Sequence, residues 1–475
     1  MATLSARALD HLLDGWRGSN AGPAYAALAD RIRLLVLDGR VSLGTRLPAE
    51  RELAETIGVS RTTVTTAYGE LRDAGYIVST RGSGSVARLP GRAPVALDST
   101  QTGYLDFSKA TMPAIPEVAD AAIAAAHALP AYLGDSGFDP IGIPVLRQAI
   151  ADRYSANGLP TDPDQVMVTI GAQHAIALIA RTLMGRGDRA LVEAPSYPHA
   201  YEALRTAGAR LVPVTVTSED GWDEPALEQA IQRTSPSIGY LMPDFHNPTG
   251  QSMSAELREH TLALAARHGT VLVADETMSE MNIDHPHRYL PFAGYDSANL
   301  AILIGSVGKS VWGGVRIGWI RAERNVIQKL VRARSSGDLG TPALEQLLVT
   351  HLLKEYDAIL EKRSEYLREG RDYLEAQLTS AFPEWTVPHV DGGLTAWVNL
   401  GAPVSSQLTL AARASGLLLA AGPRFGTDGA FERFLRIPFS YSKADTDRGV
   451  AALRTAWSSL AGGQLLDQNF LAEVV

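Results

Sequence analysis

The sequence contains no cysteine, which excludes a disulfide framework and any metal site built on thiolates. It lacks an apolar run long enough to span a membrane, and its start lacks the basic-then-apolar order of a secretory signal. Lysine is absent from the first 90 residues, where eleven arginines stand against nine acidic residues, while the whole chain of 475 residues carries a formal charge of −9. These features predict a cytoplasmic protein of two or three domains with a slightly basic amino-terminal part and no membrane partner.

Residues 24–90 have the pattern of three short helices followed by a hairpin. Apolar residues recur at helical spacing in three segments; Pro48 stands where a first-turn proline is tolerated, and Ser60 is a good N-cap for the third helix. Two helices joined by a turn at Gly58 form a helix-turn-helix, and a hairpin around residues 81–84 would form a wing with a basic tip. A packing module with a solvated threonine face is the alternative interpretation.

Three motifs in this region, in order, resemble the winged helix-turn-helix of the GntR family of bacterial transcription regulators. They are Leu-Pro-Ala-Glu-Arg-Glu-Leu-Ala from Leu47, Val-Ser-Arg-Thr-Thr-Val from Val59 and Arg-Gly-Ser-Gly-Ser from Arg81. The resemblance implies that double-stranded DNA is a partner. It also implies that the DNA contacts come from Arg51, Arg61, Thr62, Thr63 and Gly84.

Composition divides the remainder of the chain. Residues 1–23 are predicted to be an extension with one helix, and residues 91–104, which contain prolines and small polar residues without periodicity, are predicted to be a linker. In residues 105–475, short β-branched runs alternate with helix-like stretches, which predicts an α/β domain with a mainly parallel sheet. The six expected strands are Val166–Ile170, Ala190–Val192, Leu211–Val214, Ile238–Leu241, Val271–Ala274 and Ala301–Ile304. Ligand sites in such sheets lie at the carboxyl ends of the strands.

Lys309 follows the last of these runs, in a turn that contains glycine, and Arg316 comes seven residues later. A lysine amine that is held neutral can form a Schiff base with an aldehyde cofactor, and a planar guanidinium suits a phosphate. The alternative is an ordinary surface lysine after a buried strand.

Four other strand-end or strand positions carry candidate chemistry. Gly-Ala-Gln at 171–173 opens a helix, where backbone N–H groups bind phosphate, although a tight turn would look the same. Tyr197 could stack on a cofactor ring or be a buried structural tyrosine. Asp275 could pair with a protonated pyridine nitrogen or cap a helix. Arg436, inside an apolar strand, needs an anion, either a substrate carboxylate or an internal acid.

Taken in order, these pieces resemble the fold type I aminotransferases that use pyridoxal 5′-phosphate (PLP), over residues 105–460. The resemblance implies that Lys309 is the Schiff-base lysine and that Arg436 takes the carboxylate of an amino acid. The other residues implied to bind PLP are Ala172, Gln173, Tyr197, Asn247, Asp275, Ser306 and Arg316. The family has a smaller carboxy-terminal α+β subdomain, and its combination with a GntR module resembles the MocR subfamily of regulators, which implies a homodimer.

The sequence departs from the aminotransferase pattern at three places. Relatives carry a tyrosine two or three residues after the aspartate, where this chain has Thr277 and Met278. The serine that usually precedes the lysine is Gly308, and the tyrosine that many relatives donate across the dimer is Gly137, with Tyr132 too far upstream to replace it safely. Loss of one transition-state hydrogen bond of ~2 to 3 kcal/mol slows a reaction roughly a hundredfold.

These departures favour a large domain that senses PLP, an amino acid or an amine and changes the spacing of two DNA-binding modules. A working aminotransferase with a DNA-binding module is one alternative. A DNA-binding protein whose large domain only holds the dimer together is the other.

Overall fold

The computed structural model describes residues 3–13, 16, 23–37, 40–41, 44–80, 84–88, 103–134, 136–285 and 289–461. Its helices are α1 (Ala6–Leu12), α2 (Ala24–Leu37), α3 (Glu50–Ile57), α4 (Arg61–Asp73), α5 (Glu117–Ala128), α6 (Pro144–Ala156), α7 (Gly171–Leu183), α8 (Pro198–Thr206), α9 (Glu224–Thr234), α10 (Ala255–His268), α11 (Arg324–Arg334), α12 (Ala343–Leu352), α13 (Tyr356–Ala381), α14 (Ser405–Ala414) and α15 (Lys443–Ala461). Its strands are β1 (Ile77–Thr80), β2 (Gly84–Ala87), β3 (Leu105–Asp106), β4 (Val166–Thr169), β5 (Arg189–Ala194), β6 (Arg210–Thr217), β7 (Gly221–Trp222), β8 (Ile238–Leu241), β9 (Val271–Asp275), β10 (Ile302–Ser306), β11 (Gly318–Arg321), β12 (Thr395–Asn399), β13 (Leu417–Leu418), β14 (Ala420–Ala421) and β15 (Phe434–Pro438). None of the described helices is both long and apolar enough to cross a membrane.

The amino-terminal module consists of α1 to α4 and the β1–β2 hairpin around its own hydrophobic core. Ser60 caps α4 as predicted, because its hydroxyl accepts a hydrogen bond from the Thr63 backbone N–H at 3.1 Å. The prediction that Pro48 lies in the first turn of α3 is wrong: α3 begins at Glu50, and the Pro48 carbonyl instead accepts a hydrogen bond from Tyr68 Oη at 3.1 Å. The expected wing tip at 81–83 lies outside the described residues, as does most of the expected linker.

The large domain contains an eight-stranded sheet in the order β4-β11-β10-β9-β8-β5-β6-β7. All six predicted strands are confirmed, with end points shifted by up to three residues. The five strands β10, β9, β8, β5 and β6 run parallel, which confirms the mainly parallel sheet. β11, which the sequence pattern did not predict, is antiparallel to both β10 and β4. It therefore folds back beside the strand that delivers Lys309.

A smaller carboxy-terminal subdomain follows the long helix α13 and contains the three-stranded sheet β12-β15-β14 with α14 and α15. The amino-terminal module contacts this subdomain. Arg31 Nη1 lies 3.4 Å from Glu432 Oε1, and Arg40 Nη1 lies 4.0 Å from the same oxygen. Glu432 comes just before β15, so the module is joined to the strand that carries Arg436.

Candidate cofactor site and DNA interface

Lys309 lies in the loop between β10 and β11, and its Nζ donates a hydrogen bond to the Ala110 carbonyl at 2.6 Å. Desolvation by the surrounding protein and, to a smaller extent, the positive charge of Arg436 lower the pKa of Lys309 to about 8, while Asp275 acts in the opposite direction. A lowered lysine pKa increases the fraction of neutral amine, and the neutral amine is the nucleophile. The lysine is therefore prepared to attack a carbonyl carbon.

Asp275 ends β9 and pairs in register with Ile304 of β10. Its Oδ2 accepts a hydrogen bond from Tyr240 Oη at 2.6 Å, and its Oδ1 accepts one from the Thr277 backbone N–H at 3.0 Å. Burial raises the pKa of Asp275, whereas these hydrogen bonds and Lys309 act in the opposite direction. A buried carboxylate that is held this firmly is suited to a cationic ring nitrogen.

The sequence analysis missed Tyr240. It belongs to β8, beside β9, and its hydroxyl bonds to a residue 35 positions later in the chain. A tyrosine inside an apolar strand was the available signal, because a buried phenol O–H needs a partner. The strand pattern does not identify that partner.

The start of α7 forms an anion cradle with Arg316. The first N–H groups of a helix have no partner within the helix, which leaves the amides of Ala172 and Gln173 free to bind an anion. Arg316 has a left-handed backbone (φ 56°), and this directs its guanidinium to the helix start, where Nη2 donates to the Ile170 carbonyl at 3.2 Å. A Cβ on Gly171 would lie 3.0 Å from this guanidinium. Gly171 also has φ 74°, a left-handed conformation that other residues rarely adopt, so the base of the cradle favours glycine.

Gly318 is a second cradle residue that the sequence analysis missed. A Cβ at this position would lie 2.7 Å from the carbonyl carbon of Gly171 and 2.9 Å from the amide nitrogen of Ala172. The backbone of β11 therefore lies directly against the start of α7, and only glycine permits this approach.

Two of the predicted phosphate ligands make other contacts through their side chains. Ser306 Oγ donates to the Ile317 carbonyl at 3.0 Å and accepts from the Gly308 backbone N–H at 3.0 Å. Gln173 Nε2 donates to the His199 carbonyl at 3.2 Å. Gln173 can still contribute its backbone N–H, whereas Ser306 would have to exchange a hydrogen bond to bind a phosphate.

Tyr197 and Asn247 are two further residues that the sequence predicts to bind the cofactor. Tyr197 precedes α8 and is half-buried, and burial together with the charge of Asp275 raises its pKa to about 12, so that the phenol is neutral at pH 7. Asn247 is 6% exposed, and its amide oxygen has no hydrogen-bond partner among the described residues. A buried amide oxygen without a partner is rare in folded proteins and fits a ligand that supplies one.

Arg436 is 7% exposed within β15, and its guanidinium lies over the Phe425 ring at 4.9 Å. One of its nitrogens donates to the Ser108 carbonyl, while its Nε has no hydrogen-bond partner in the described part of the chain. Burial lowers the pKa of Arg436 to about 10, and nearby Tyr197, Tyr441 and Asp106 oppose this. Among the described residues no carboxylate forms an ion pair with it, and the binding of a ligand carboxylate by Arg436 stays a prediction.

The departures from the aminotransferase pattern lie where the sequence analysis placed them. Met278 is 2% exposed and packs in the core, and Thr277 is held to Asp275. The backbone N–H of Gly308 donates to Ser306 Oγ. Gly137 is exposed, with no atom within 4 Å of the point where a Cβ would lie. Because both are glycines, neither supplies the hydroxyl that relatives have there.

These residues fit PLP. Asp275 and Arg436 both lie close enough to shift the pKa of Lys309 and that of Tyr197, and Arg316 also acts on Tyr197. These residues include an amine that can react with an aldehyde and a carboxylate that can pair with a ring nitrogen. They also include a helix start with an arginine that can bind a phosphate. The unpartnered atoms of Asn247 and Arg436 leave hydrogen bonds for the ring hydroxyl and for a carboxylate.

The predicted DNA-contact residues are exposed or half-buried. Arg51 on α3 and Arg61 and Thr62 at the start of α4 are exposed, and Arg51 Nε lies 3.4 Å from Glu55. Thr63 is half-buried and its hydroxyl bonds to Ser60 at 2.8 Å, so it also supports the helix cap. Gly84 begins β2 with φ 78°, and a Cβ there would lie 2.8 Å from the exposed Arg46. Arg46 therefore adds a cation that the sequence analysis missed.

Comparison with known proteins matches both parts of the chain. Residues 102–453 match the family of aminotransferases of class I and II, and residues 24–86 match the bacterial regulatory proteins of the gntR family. An HTH-type transcriptional regulator of Escherichia coli, YdcR, is 28% identical over 87% of this chain and 94% of its own length. The probable rhizopine catabolism regulatory protein MocR of Rhizobium meliloti is 33% identical over 63% of this chain and 65% of its own length.

A solved structure has the same large-domain fold. The α-aminoadipate aminotransferase LysN of Thermus thermophilus, in complex with N-(5′-phosphopyridoxyl)-L-leucine, superposes with a TM-score of 0.69 at 29% identity, over 76% of this chain and 94% of LysN. The chain therefore belongs to the aminotransferase class I and II family and carries a GntR-family domain at its amino-terminal end, which places it in the MocR subfamily.

Proposed function

We propose that this protein is a PLP-dependent, DNA-binding transcription regulator whose large domain binds PLP at Lys309 and senses PLP, an amino acid or an amine. One observation carries the proposal: the subdomain that contains Arg436 contacts the module that contains the helix-turn-helix. Arg436 has no acidic partner among the described residues, and the helix-turn-helix has an exposed surface. A site of this kind can recognise a small carboxylate while the module binds DNA.

The residues of the site have separable roles in this proposal. Bound PLP supplies an aldehyde and a ring that withdraws electrons. Lys309 supplies the neutral amine, Asp275 keeps a proton on the ring nitrogen, and the start of α7 with Arg316 holds the phosphate. Arg436 orients the carboxylate of an amino acid effector through a two-pronged contact, for which its planar guanidinium is suited.

A chain of contacts supports transmission from Arg436 to the DNA-binding module. Arg436 lies on β15, and Glu432 just before this strand accepts hydrogen bonds from the Ser406 hydroxyl at 2.9 Å and from Arg31 at 3.4 Å. A ligand that moves β15 toward the large domain would also move Glu432 and the module attached to it. The proposal requires that the ligand favours one of two arrangements.

A homodimer is part of the proposal. Large apolar side chains are exposed around α5, the following turn and α12: Ile123, Leu133, Phe138, Leu339 and Leu344. The segments that carry them touch, since Gly340 packs against the Asp139 carbonyl. Clustered exposed apolar residues favour a protein partner, and a second copy would also place two modules on two DNA half-sites.

Turnover as an aminotransferase is the second candidate function. The lowered pKa of Lys309 favours it, since a neutral lysine can also move protons during catalysis. The missing phenol at Thr277 and Met278 disfavours it. Sustained keto-acid formation from an amino acid donor would support aminotransferase activity and contradict a purely sensing role of the large domain.

The test uses the full chain and a pool of random DNA duplexes, from which bound sequences are selected with PLP present. We expect one enriched motif, an affinity for it that changes on adding PLP or an amino acid, and no such change for Lys309→Ala. Arg61→Ala should weaken binding of the motif by roughly tenfold to a hundredfold while PLP uptake is unchanged. Arg7→Ala, on the exposed side of α1, is the matched control. Selection of no motif would contradict the proposal.

A further inference from the structure

A cavity of about 530 Å³ lies across the sheet from Lys309, between α6, the turn that follows β9 and the start of α13. Successive residues of a strand point to opposite faces of a sheet. The strand geometry of β9 continues through Glu276, whose backbone N–H donates to the Ile304 carbonyl at 2.9 Å. Asp275 therefore faces the cofactor site, and Glu276 faces this second cavity.

Glu276 is a buried carboxyl, and the cation that acts on its pKa, Arg258, is itself paired with Asp244. It is 8% exposed and lines the cavity. Its Oε1 accepts from the Phe292 backbone N–H at 2.7 Å, and its Oε2 accepts from Tyr154 Oη at a long 3.4 Å. Among the described residues no arginine, lysine or histidine forms an ion pair with it. Burial accordingly raises the pKa of Glu276 to about 8, and a cationic ligand would restore its charge.

The rest of the lining offers aromatic surface and negative charge. Tyr154, Trp319 and Tyr356 contribute rings, and Trp319 Nε1 donates to Tyr154 Oη at 3.1 Å, which fixes both. The guanidinium of Arg153 is already neutralised, because it pairs with Glu280 and with Asp357 at 3.0 Å and stacks on Tyr356 at 4.5 Å. An anionic ligand would therefore be repelled by the acidic side chains of the lining, because the one arginine of the lining is already paired with two of them.

We propose that this cavity binds a small organic ammonium ion, with the ammonium group at Glu276 and the hydrocarbon part against Tyr154 and Trp319. The ammonium group can donate hydrogen bonds to the carboxylate and interact with the aromatic faces. The volume is in the range of small-molecule sites, which is about 300 to 1,000 Å³. Lys309, Arg316 and Arg436 do not line the cavity, and Ser306 is the one predicted cofactor residue that does.

The turn from Thr277 to Met281 connects the two sites. Thr277 and Ser279 line the cavity, while the Thr277 backbone N–H holds Asp275, and the Gly393 backbone N–H of the small subdomain donates to the Met281 carbonyl at 2.8 Å. An ammonium ion in the cavity is therefore expected to change the surroundings of Asp275. This consequence rests on the proposed cofactor role, whereas binding in the cavity does not.

The experiment measures binding of 2-phenylethylammonium to the full chain by calorimetry. The protein is first treated with borohydride, so that no cofactor aldehyde can react with the amine, and Lys309→Ala serves as a second background. We expect saturable binding in both, and binding weaker by roughly tenfold or more for Glu276→Gln, because a charge-assisted hydrogen bond is lost. The uncharged analogue 2-phenylethanol should bind more weakly by a similar factor.

Glu361→Gln, a change of the same kind at the exposed rim of the cavity, is the matched control and should leave the affinity within about twofold. Unchanged affinity in Glu276→Gln, equal affinity for 2-phenylethanol, or no binding at all would overturn the proposal. Loss of binding in Lys309→Ala would also overturn it, since the amine would then occupy the cofactor site. Failure of PLP to bind would instead contradict the proposed function and leave this test intact.

Discussion

The pKa of Lys309 predicts how PLP capture depends on pH. Desolvation and the charge of Arg436 lower the pKa from 10.5 to about 8. At pH 7 roughly one lysine in ten would then be neutral, against roughly one in 3,000 for an unperturbed lysine, which is a gain of about 300-fold in reactive amine. Capture should therefore accelerate as the pH rises and level off above about pH 8.

Arg436→Gln tests the cause of this shift. A nearby positive charge disfavours a protonated amine, so removing it should raise the pKa of Lys309 and lower the neutral fraction at pH 7. Burial is the larger cause and persists in the variant, so the pKa should stay below 10.5. Each unit by which the pKa of Lys309 rises would slow its reaction with PLP at pH 7 about tenfold. The difference between the variant and the unchanged protein should vanish at a pH where Lys309 is neutral in both.

The assay follows the absorbance change of PLP on mixing with cofactor-free protein, from about pH 6 to about pH 10. Reaction with a free lysine derivative corrects for the titration of PLP itself. Arg433→Gln is the control, because this exposed arginine bonds to the Gly401 carbonyl and is not one of the charges that shift the pKa of Lys309. A midpoint near that of free lysine, or a downward shift in Arg436→Gln, would refute the reasoning.

Three further predictions concern residues that only the structure identifies. Tyr240→Phe removes a hydrogen bond to the charged Asp275, and PLP should dissociate roughly ten to a hundred times faster, measured by transfer to an acceptor protein. Gly318→Ala places a Cβ against the backbone of α7 and should lower stability by about 1 to 3 kcal/mol, measured by urea unfolding, and weaken PLP binding. Glu432→Gln should weaken the link to Arg31, so that DNA affinity no longer responds to effector while PLP uptake is unchanged.

Each of these variants has a matched control. Tyr373→Phe, at a half-buried tyrosine whose hydroxyl donates to Asp447 at the surface, should leave PLP dissociation unchanged. Gly134→Ala, where a Cβ meets nothing within 4 Å, should leave stability unchanged within about 1 kcal/mol. Glu228→Gln on α9, where a half-buried glutamate accepts a hydrogen bond from Gln232, is the control for the third variant. If a control behaved like its partner variant, the specific contact would not explain the effect.

The local patterns were sufficient to predict the elements that carry the site. Alternation of apolar strands and helices predicted the parallel sheet, and the rule that ligand sites lie at carboxyl ends of strands predicted that Lys309, Asp275 and the start of α7 would meet. The short strand β11 was not predicted, because four residues after a glycine-rich loop carry too little periodicity. Pro48 was misplaced because Pro48 and Glu50 both suit a helix start, and packing against Tyr68 decided between them.

The roles of individual atoms depended on residues far apart in the chain. Sequence alone determined the two-part organisation, the strand-end lysine and aspartate and the helix-turn-helix, because periodicity, capping and turn chemistry act over a few neighbouring residues. Only the tertiary structure decided that Tyr240 holds Asp275, that Arg436 lacks an acidic partner among the described residues, that Glu276 faces a separate cavity and that Arg31 reaches Glu432. Burial, pKa and partner choice are set by the groups that the fold packs around an atom, and most of those groups lie tens to hundreds of residues away.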